Sequence, residues 1–564
     1  MKFTKPTAFF SLFVISALAW SPLLFGQNNE IVESKINAIV QEWDSNDSPG
    51  GIIGVIKNGE MIHSKSFGMA NLEYDIPISS NTVFRIASLS KQFTAACILI
   101  LEERGKLSLN DPITLYFPDL PEYANEITIR HLIHHTSGIR DFFKLAELSG
   151  LQVSDNFSDE EVMALIARQN TLNFKPGEEE LYNNSGYFLL AQLVKITSGK
   201  SIREFAEKNI FQTLQMGNTH FHDDYKMIVK NRASGYSSIP NGGFEINMSN
   251  LSIIGDGGLF TTLNDLGKWQ NNFFNNKLPV KDFQKRMFTR GKLNDGTMLN
   301  YAFGLEHDNY NGLQTVSHGG AFVGFRSEIL MFPEEKTSII CLTNLSDIKP
   351  HLITRKVADV FLKDKYPTLG SSTSKKNYPE NKKSIDLNEK IFSKYEGKYE
   401  LSNGIVVDIS AQNDQFFANI IGQTKFEIFA ESPNKFFVKD TDLQFSFLQG
   451  NSSELNIILV HLYGKIIFGR KLRVENQLSD EVLHEYSGTY YNEELNIAYR
   501  LLIENSKLFV QVGNKPKQAI GLISKDKAVL EDSMAEFQRN KFGQIQAFQL
   551  ESGRVKNLMF VKND

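Results

Sequence analysis

The sequence predicts an α+β domain followed by two small antiparallel β-barrels. Strand patterns occur at both ends of the first two thirds of the chain, with helical patterns between them. A polar stretch over residues 369–389 lacks large apolar side chains and has the composition of a linker. Beyond it, short alternating strand patterns separated by Asn, Gly and Asp turns run to the end. Because 564 residues are too many for one hydrophobic core, several domains are expected.

The N-terminus has the features of an export signal. Lys2 and Lys5 form a short basic region, the run 9–25 is strongly apolar, and Gly26 precedes a polar stretch. We therefore expect residues 1–26 to be a signal peptide, and the protein to be exported to the periplasm or the extracellular space. The alternative is an uncleaved membrane anchor, because the apolar run is almost long enough to span a bilayer.

Composition narrows the range of partners. The net charge is −5 and the chain has no long run of Lys and Arg, which argues against a nucleic-acid partner. Membrane contact is expected only through the signal, if it is not cleaved. The two cysteines, Cys97 and Cys341, both lie in apolar runs, so we expect buried thiols rather than a disulfide or a catalytic thiol.

The first domain, residues 28–368, is expected to contain one antiparallel sheet closed by its first and last strands and covered by helices. Asn58-Gly59 is a strong signal for a two-residue hairpin turn. The predicted strands are 52–57, 61–67, 313–317, 325–331 and 337–343. The predicted helices include 30–45 and 84–107.

The last third of the chain contains an internal repeat. Tyr-Glu-Gly-Lys-Tyr at 395–399 recurs as Tyr-Ser-Gly-Thr-Tyr at 486–490, 91 residues later. This period is too long for one unit of a solenoid. It suits a small antiparallel barrel of about eight strands. We therefore predict two tandem barrels, at 390–473 and 478–564.

The clearest local motif for chemistry pairs Ser88 with Lys91. A spacing of three places both side chains on the same helix face, at the beginning of a helix. A serine hydroxyl needs a neighbouring base to become a nucleophile, and a partly buried lysine is able to take its proton. The alternative is that Ser88 only caps the helix, which is a common role for serine.

A second motif places Tyr182 and Asn184 just before another apolar helix. A tyrosine hydroxyl is able to relay a proton between nucleophile and leaving group, and the amide of Asn184 is able to hold a substrate carbonyl. The alternative is a capping asparagine beside a core tyrosine.

The third motif is His318-Gly319-Gly320, predicted at the end of the strand that begins near Leu313. Glycines there let a substrate lie against the strand edge, and His318 would supply a hydrogen-bond donor. The backbone N–H groups of Ser88 and Ala321 would form an oxyanion hole. The alternative is that the two glycines form a simple turn.

Taken together, the three motifs resemble those of the serine β-lactamase and penicillin-binding protein superfamily, nearest its class C and D-aminopeptidase branch. The resemblance covers about residues 30–365 and implies a β-lactamase-like domain followed by lipocalin-like barrels. In the D-aminopeptidase architecture, appended barrels help to shape access to the site. Supporting stretches are His135-Thr136-Ser137-Gly138, Lys175-Pro176-Gly177 and residues 257–262 before Asp265.

The resemblance implies a serine hydrolase that forms an acyl-serine intermediate without a cofactor. Lys91 or Tyr182 would accept the Ser88 proton, and Tyr182 would protonate the leaving group. The substrate would be a small molecule or short peptide, including cell-wall fragments, in a reaction of the D-aminopeptidase, esterase, β-lactamase or D-Ala carboxypeptidase type. His318 replaces the lysine usual in the third motif, which favours substrates without a carboxylate at that position. The alternative functions are a sensor that is acylated without turnover and a ligand-carrying role for the barrels.

Three further patterns are weaker candidates. Ser154-Asp155-Asn156 imitates a second β-lactamase motif but precedes a capping box. Lys336-Thr337-Ser338 imitates the usual third motif but lacks its glycine. His131, His134 and His135 lack the Cys or acidic residues that would complete a zinc site, so no metal is expected. No Gly-x-Ser-x-Gly motif occurs, which disfavours an α/β-hydrolase.

Overall fold

The computed structural model describes residues 21–151, 157–240, 242–367 and most of 384–563. Within that last span, the description leaves out 403–404, 413–414, 422–424, 440, 442, 450–454, 463–464, 473–478 and 531–532. Across the described residues, no helix is both long and apolar enough to cross a lipid bilayer. The predicted signal peptide lies mostly outside this description, so its function and its cleavage stay predictions.

A six-stranded antiparallel sheet forms the centre of the first domain, in the order β10-β11-β12-β13-β1-β2. Its first strand pairs with its last, as the sequence predicts: Ile53 of β1 lies opposite Cys341 of β13. Strands of this domain are β1 (Gly51–Lys57), β2 (Glu60–Phe67), β3 (Met69–Asn71), β4 (Ile76–Pro77), β5 (Phe84–Arg85), β6 (His220–Phe221), β7 (Tyr236–Ser238), β8 (Phe244–Ile246), β9 (Leu259–Thr261), β10 (Glu306–Tyr310), β11 (Leu313–Phe322), β12 (Phe325–Phe332) and β13 (Thr337–Thr343).

Helices cover both faces of this sheet. Alternate residues of a strand point to opposite faces, and β1 is apolar on both: Ile52 and Ile56 join one core cluster, whereas Ile53 and Val55 join another. The first cluster includes α2 and α6, and the second includes α1 and α11. The helices of the domain are α1 (Ser21–Val40), α2 (Lys91–Glu103), α3 (Ile129–Ile133), α4 (Phe142–Leu148), α5 (Asp159–Ala167), α6 (Asn184–Ser198), α7 (Ile202–Ala206), α8 (Gln212–Leu214), α9 (Leu263–Phe274), α10 (Phe283–Met287) and α11 (Pro350–Leu362).

Two closed barrels of eight antiparallel strands follow, as the sequence predicts. The first contains β14 (Gly397–Leu401), β15 (Val406–Gln412), β16 (Gln415–Ile420), β17 (Lys425–Ser432), β18 (Lys435–Phe437), β19 (Gln444–Gln449), β20 (Leu455–Leu462) and β21 (Lys465–Lys471), after the short helix α12 (Glu389–Phe392). The second contains β22 (Gly488–Asn492), β23 (Ile497–Glu504), β24 (Lys507–Val512), β25 (Gln518–Ser524), β26 (Lys527–Leu530), β27 (Ser533–Arg539), β28 (Ile545–Ser552) and β29 (Val555–Asn563), after α13 (Asp480–Tyr486).

The repeated Tyr-x-Gly-x-Tyr motif has the same structure in both barrels. The Tyr399 hydroxyl donates to the Tyr395 carbonyl at 2.8 Å, and the Tyr490 hydroxyl donates to the Tyr486 carbonyl at 2.8 Å. The two barrels differ in what they contact. The first has its own core cluster, whereas the core of the second is continuous with that of the first domain. The second barrel therefore packs directly against the first domain.

The structure corrects the extent of three predicted elements. The predicted helix 84–107 is instead strand β5, a 3-10 turn at Ala87–Ser90 and α2, because Phe84 and Arg85 pair with β9. The strand predicted at 313–317 extends to Phe322, since both glycines of the third motif stay paired with β12. The helix predicted to reach residue 45 ends at Val40.

Candidate active site

A cavity of about 840 Å³ opens where the turn before α2, the beginning of α6 and the far end of β11 meet. It is the place where three distant stretches of sequence come together. The predicted site residues that line it are Ser88, Tyr182, Asn184, His318, Gly319, Gly320 and Ala321. Lys91, the remaining one, lies directly beneath Ser88. The structure thus brings all the predicted site residues together.

Ser88 lies in a strained turn. The residue before it, Ala87, has a φ of +48°, a left-handed conformation that non-glycine residues rarely adopt. The Ser90 hydroxyl stabilises the turn: it donates to the Ala87 carbonyl at 2.6 Å and accepts from the Leu259 N–H at 3.0 Å. Strain of this kind clusters at functional sites, where the surrounding structure enforces it.

Lys91 is fully buried and points at this serine. Its Nζ donates to Ser88 Oγ at 3.3 Å, to Asn184 Oδ1 at 2.9 Å and to the Asp256 carbonyl oxygen at 2.6 Å. The centroid of the Tyr182 ring lies 4.8 Å from the same nitrogen, within the range of a cation–π contact. A neutral amine in this position would keep two donors for Asn184 and Asp256 and direct its lone pair at the Ser88 hydroxyl.

Tyr182 and Asn184 are held by the segment that precedes α4. The Asn183 side chain caps α6, accepting from the Gly186 N–H at 2.8 Å, and the Asn183 N–H donates to His135 Nδ1 at 3.1 Å. The His135 ring packs on the Tyr182 ring, with their centroids 4.4 Å apart. The capping alternative is therefore correct for Asn183, while its neighbours Tyr182 and Asn184 line the cavity.

Asn184 has partners on both sides of its amide. Its Nδ2 donates to Asp141 Oδ2 at 2.9 Å, and its Oδ1 accepts from Lys91. Asp141 also accepts from the Asn184 backbone N–H at 2.8 Å. In this arrangement the amide positions the lysine, and its expected contact with a substrate carbonyl stays a prediction.

His318 is neutral and both of its ring nitrogens have partners. Burial, with the positive charge of Lys91, lowers the pKa of His318 to about 4. Its Nδ1 lies 2.6 Å from the Gly319 carbonyl oxygen, and its Nε2 lies 3.0 Å from the Tyr301 hydroxyl. The Gly319 carbonyl only accepts, so Nδ1 carries the proton of the neutral ring and Nε2 accepts from the Tyr301 hydroxyl, whose pKa burial raises well above its usual range. The donor role expected of His318 toward a substrate stays a prediction, because no ring N–H is free in this arrangement.

Gly320 of the third motif lets β11 approach the serine turn closely. A Cβ built on Gly320 would lie 2.2 Å from the Ile86 carbonyl oxygen and 2.4 Å from Ser327 Oγ. This close approach places Ala321 on the same cavity wall as Ser88. Strand β10 pairs with β11 only as far as Ser317, so in the described structure its pairing does not cover the β11 edge from His318 to Phe322. That edge faces the cavity, as substrate pairing would require.

Comparison with known proteins identifies the family of this chain. A family model described as Beta-lactamase matches residues 36–360, more than half of the 564 residues. The chain belongs to the Beta-lactamase family. Membership of this family and similarity to D-aminopeptidases and penicillin-binding proteins make the protein, in broad terms, a serine hydrolase.

Two relatives show how far the sequence similarity extends. A penicillin-binding protein of Bacillus subtilis is 26% identical over 431 residues, which cover 72% of this chain and 92% of that protein. A D-aminopeptidase of Gluconobacter oxydans is 29% identical over 296 residues, which cover 52% of this chain and 56% of that protein. The chain thus spans little more than half the length of this D-aminopeptidase.

Solved structures share the fold. The octameric penicillin-binding protein homologue from Pyrococcus abyssi has a TM-score of 0.53 at 23% identity, covering 87% of this chain and 98% of that chain. A D-amino acid amidase from Ochrobactrum anthropi, in complex with D-phenylalanine, has a TM-score of 0.51 at 21% identity, covering 59% of this chain and 99% of that chain. At these identities the likeness establishes the fold alone.

In this β-lactamase family member, residues 336–338 and His131, which belong to the weaker candidate patterns, lie outside the cavity lining. Lys336 lies in a turn, and Thr337 and Ser338 begin β13, where both are buried away from the cavity lining. His131 completes a capping box with Thr128. Among the described residues, no group of three or more His, Cys, Asp or Glu side chains is placed to hold a metal ion. Residues 154–156 lie outside the described residues.

Several residues of the site were not predicted from the sequence. Asp141, Asp256, Tyr301 and Arg554 all contact the predicted residues or line the cavity. Burial raises the pKa of Asp256 to about 6, although Lys91 and Arg85 oppose the shift. The one available signal was the position of Asp141, three residues after Gly138 and directly before an apolar helix, where an N-cap carboxylate is common.

Proposed function

We propose that the protein is an exported serine hydrolase that acts on an ester, amide or peptide through an acyl-serine intermediate. The observation that carries this proposal is the 3.3 Å contact between Lys91 Nζ and Ser88 Oγ on the floor of an open cavity. A nucleophile within hydrogen-bonding range of its base is the geometry that covalent catalysis requires.

The proposed reaction has two steps. Ser88 Oγ attacks the substrate carbonyl while Lys91 or Tyr182 takes its proton, and the backbone N–H groups of Ser88 and Ala321 bind the oxyanion. The bond to the leaving group then breaks as Tyr182 supplies a proton. Water, activated by the same pair, hydrolyses the acyl-serine and releases the enzyme.

The neutral state of His318 supports a substrate without a carboxylate at the position of the third motif. Esters, amides and peptides with a free N-terminal D-residue satisfy this condition. The relatives named D-aminopeptidase and D-amino acid amidase act on substrates of the last two kinds, as their names state.

The decisive experiment is an active-site titration with a short acyl nitrophenyl ester on wild type and Ser88→Ala. We expect one equivalent of nitrophenol in a burst followed by steady turnover, both lost in Ser88→Ala. A chromogenic cephalosporin and D-amino-acid anilides in the same assay identify the substrate class. Turnover by Ser88→Ala equal to that of wild type would reject Ser88 as the nucleophile.

A sensor that is acylated but not turned over is the second candidate function. The partners of Lys91 favour it, because three acceptors surround the amine that would have to activate water in deacylation. A stoichiometric burst without a steady phase would identify such a sensor.

A further inference from the structure

The second barrel contributes a hairpin to the cavity of the first domain. The turn between β28 and β29, at Gly553 and Arg554, lies against the loop before α6. Asn173 holds it on both sides: its Nδ2 donates to the Arg554 carbonyl at 2.9 Å, and its Oδ1 accepts from the Lys556 N–H at 2.7 Å. The buried Arg140 donates to the carbonyl oxygens of Lys556 at 2.9 Å and Asn557 at 2.7 Å. These contacts fix the backbone of the hairpin.

The Arg554 side chain enters the cavity that contains Ser88. Its guanidinium carbon lies 4.8 Å from the centroid of the Tyr182 ring, within the range of a cation–π contact. The side chain is 43% exposed, so its donors are accessible from the cavity. A residue from the second barrel thus lies beside a predicted catalytic tyrosine.

Arg554 forms an ion pair with Asp141, but this pair does not use up its hydrogen-bond donors. Asp141 Oδ1 already accepts from the N–H groups of Phe143 and Lys144, and Oδ2 accepts from the N–H and the amide of Asn184. Arg554 Nη1 is 3.6 Å from Asp141 Oδ2, longer than a hydrogen bond. These four neutral donors fill the hydrogen-bonding capacity of the carboxylate, so Arg554 offsets its charge from 3.6 Å while its own N–H groups are left for another acceptor.

The other positive groups at the cavity differ from Arg554 in their partners or in their position. Lys91 donates to three acceptors, and His318 is neutral. Arg326 donates to the carbonyl oxygens of Val323 and Phe325. The buried Arg85 lies against the Phe322 ring at 4.5 Å. Lys349 also lines the cavity and is exposed, and Arg85 Nε has no acceptor in the described structure. Arg554 differs from both because its guanidinium lies against the ring of Tyr182, where a substrate bound at Ser88 would meet it.

We propose that Arg554 is a specificity-determining residue that binds a carboxylate of the substrate. The planar fork of a guanidinium matches a carboxylate with two parallel hydrogen bonds. The carboxylate would lie on the barrel side of the cavity, away from the β11 position that His318 leaves uncharged. This inference rests on the proposed function and adds the charge of the preferred substrate to it.

The test compares acidic and neutral members of two substrate pairs on the full-length protein. In one pair the charge is on the leaving group, 3-acetoxybenzoate against its methyl ester. In the other it is on the acyl half, mono-4-nitrophenyl adipate against its methyl ester. The proteins are wild type, Arg554→Gln, Arg554→Lys and the control Lys556→Gln, which removes a cation from the same hairpin outside the cavity lining. Thermal melting establishes that each variant is folded.

We expect wild type to prefer the acidic member of one pair, and Arg554→Gln to lower the acid-to-neutral ratio of kcat/KM for that pair by about tenfold. Arg554→Lys would retain part of the preference, and Lys556→Gln would retain all of it. The pair that responds identifies the half of the substrate that carries the charge. A ratio that changes less than about twofold in both pairs, or equally in Lys556→Gln, overturns the proposal.

Failure of the proposed function is distinguishable from failure of the proposal for Arg554. Hydrolysis that persists in Ser88→Ala rejects the nucleophile, while the ratio still decides the role of Arg554. If wild type hydrolyses neither pair, calorimetric binding of 3-hydroxybenzoate and 3-hydroxybenzamide replaces the kinetic ratio. Weaker binding of the acid alone in Arg554→Gln supports the proposal, and equal binding of both compounds by wild type overturns it.

Discussion

Gly320 of β11 lies so close to Ile86 that a Cβ at that position would be 2.2 Å from the Ile86 carbonyl oxygen. Ile86 precedes the strained Ala87 and the proposed nucleophile, so this approach sets the width of the site between Ser88 and Ala321. The neighbouring Gly319 is different, since a Cβ there would meet only the Ser327 carbonyl oxygen at 3.8 Å, an ordinary contact.

We therefore predict that Gly320→Ala and Gly319→Ala have unequal effects. Gly320→Ala must move β11 away from the serine turn, which displaces an oxyanion donor, so we expect kcat to fall by about a hundredfold or more. Gly319→Ala should reduce kcat/KM by less than about tenfold, because its Cβ has space. Steady-state kinetics with an activated ester measure both. Equal losses in the two variants would contradict the argument.

A second prediction separates the roles of Lys91 and Tyr182. Lys91→Ala should lower the acylation rate by about a thousandfold on every substrate, because it removes the amine in hydrogen-bond contact with Ser88 Oγ. Tyr182→Phe keeps the ring beside Lys91 and removes only the hydroxyl. If that hydroxyl protonates the leaving group, the loss should be much larger for an anilide than for a nitrophenyl ester, whose leaving group needs no proton. Single-turnover kinetics with both substrates provide the test. Equal losses of rate on the anilide and on the ester in Tyr182→Phe would indicate that Tyr182 is the base.

Buried histidines should make the protein sensitive to acid. Burial lowers the pKa of both His134 and His318 to about 4, and that of His135 well below its usual value of 6.5. From about pH 6.5 down to about pH 4, these groups are charged in the unfolded chain and neutral in the folded one. The unfolded state then binds more protons, so each histidine lowers the free energy of unfolding by up to about 1.4 kcal/mol per pH unit as the pH falls through this window.

His134→Gln tests this prediction without altering the cavity lining. Its free energy of unfolding, measured by urea titration across that window, should fall less steeply with acid than that of wild type. The difference in slope should correspond to about one bound proton.

Asp256 affects stability in the opposite direction. Its pKa is raised to about 6, so it contributes stability that is fully present below its usual pKa of 3.8 and is lost as the pH rises through 6. Asp256→Asn should therefore steepen the loss of stability in acid. An unchanged slope in both variants would refute the assignment.

The contact between the second barrel and the first domain should depend on Glu494. This carboxylate accepts from the fully buried Arg140, and its Oε1 accepts from the Asn170 N–H at 2.7 Å. Glu494→Ala leaves a buried guanidinium without its counter-charge, which destabilises by about 3–5 kcal/mol. We expect a lower melting temperature and faster proteolysis of the second barrel.

The control for this substitution is the exposed neighbour Glu493. Glu493→Ala should change stability by no more than about 0.5 kcal/mol. Equal melting temperatures for Glu494→Ala and wild type would show that the apolar contacts between barrel and domain hold them together without the ion pair.

Spacing along the sequence was sufficient to predict those features whose residues lie close together in the chain. The three-residue interval between Ser88 and Lys91 predicts that their side chains meet, and the structure places the two polar atoms 3.3 Å apart. Asn58-Gly59 predicts the hairpin of β1 and β2, which the structure contains. The repeat of Tyr395 and Tyr486 predicts two equivalent barrels, because the hydrogen bond of each motif is internal to it.

The parts that were not predicted depend on tertiary contacts. The left-handed φ of Ala87 occurs where Leu259 of β9 and Gly320 of β11 contact the turn, and the sequence of the turn alone does not signal it. Tyr301 becomes a partner of His318 because the sheet brings them together. Arg554 lies more than 400 residues after Arg140, whose hydrogen bonds hold the hairpin, and the sequence of a tight turn in a barrel has no pattern that points to a distant cavity.

The unequal packing of the two barrels has an evolutionary consequence. The two barrels repeat one motif, yet only the second shares a hydrophobic core with the first domain. On the first barrel, Val406 and Ile421 pack against Ile523 and Val529 of the second, so substitutions there are constrained by the fit of barrel to barrel. The β28–β29 hairpin is constrained by the fit of a cavity in another domain, so its sequence must change together with the cavity that it borders.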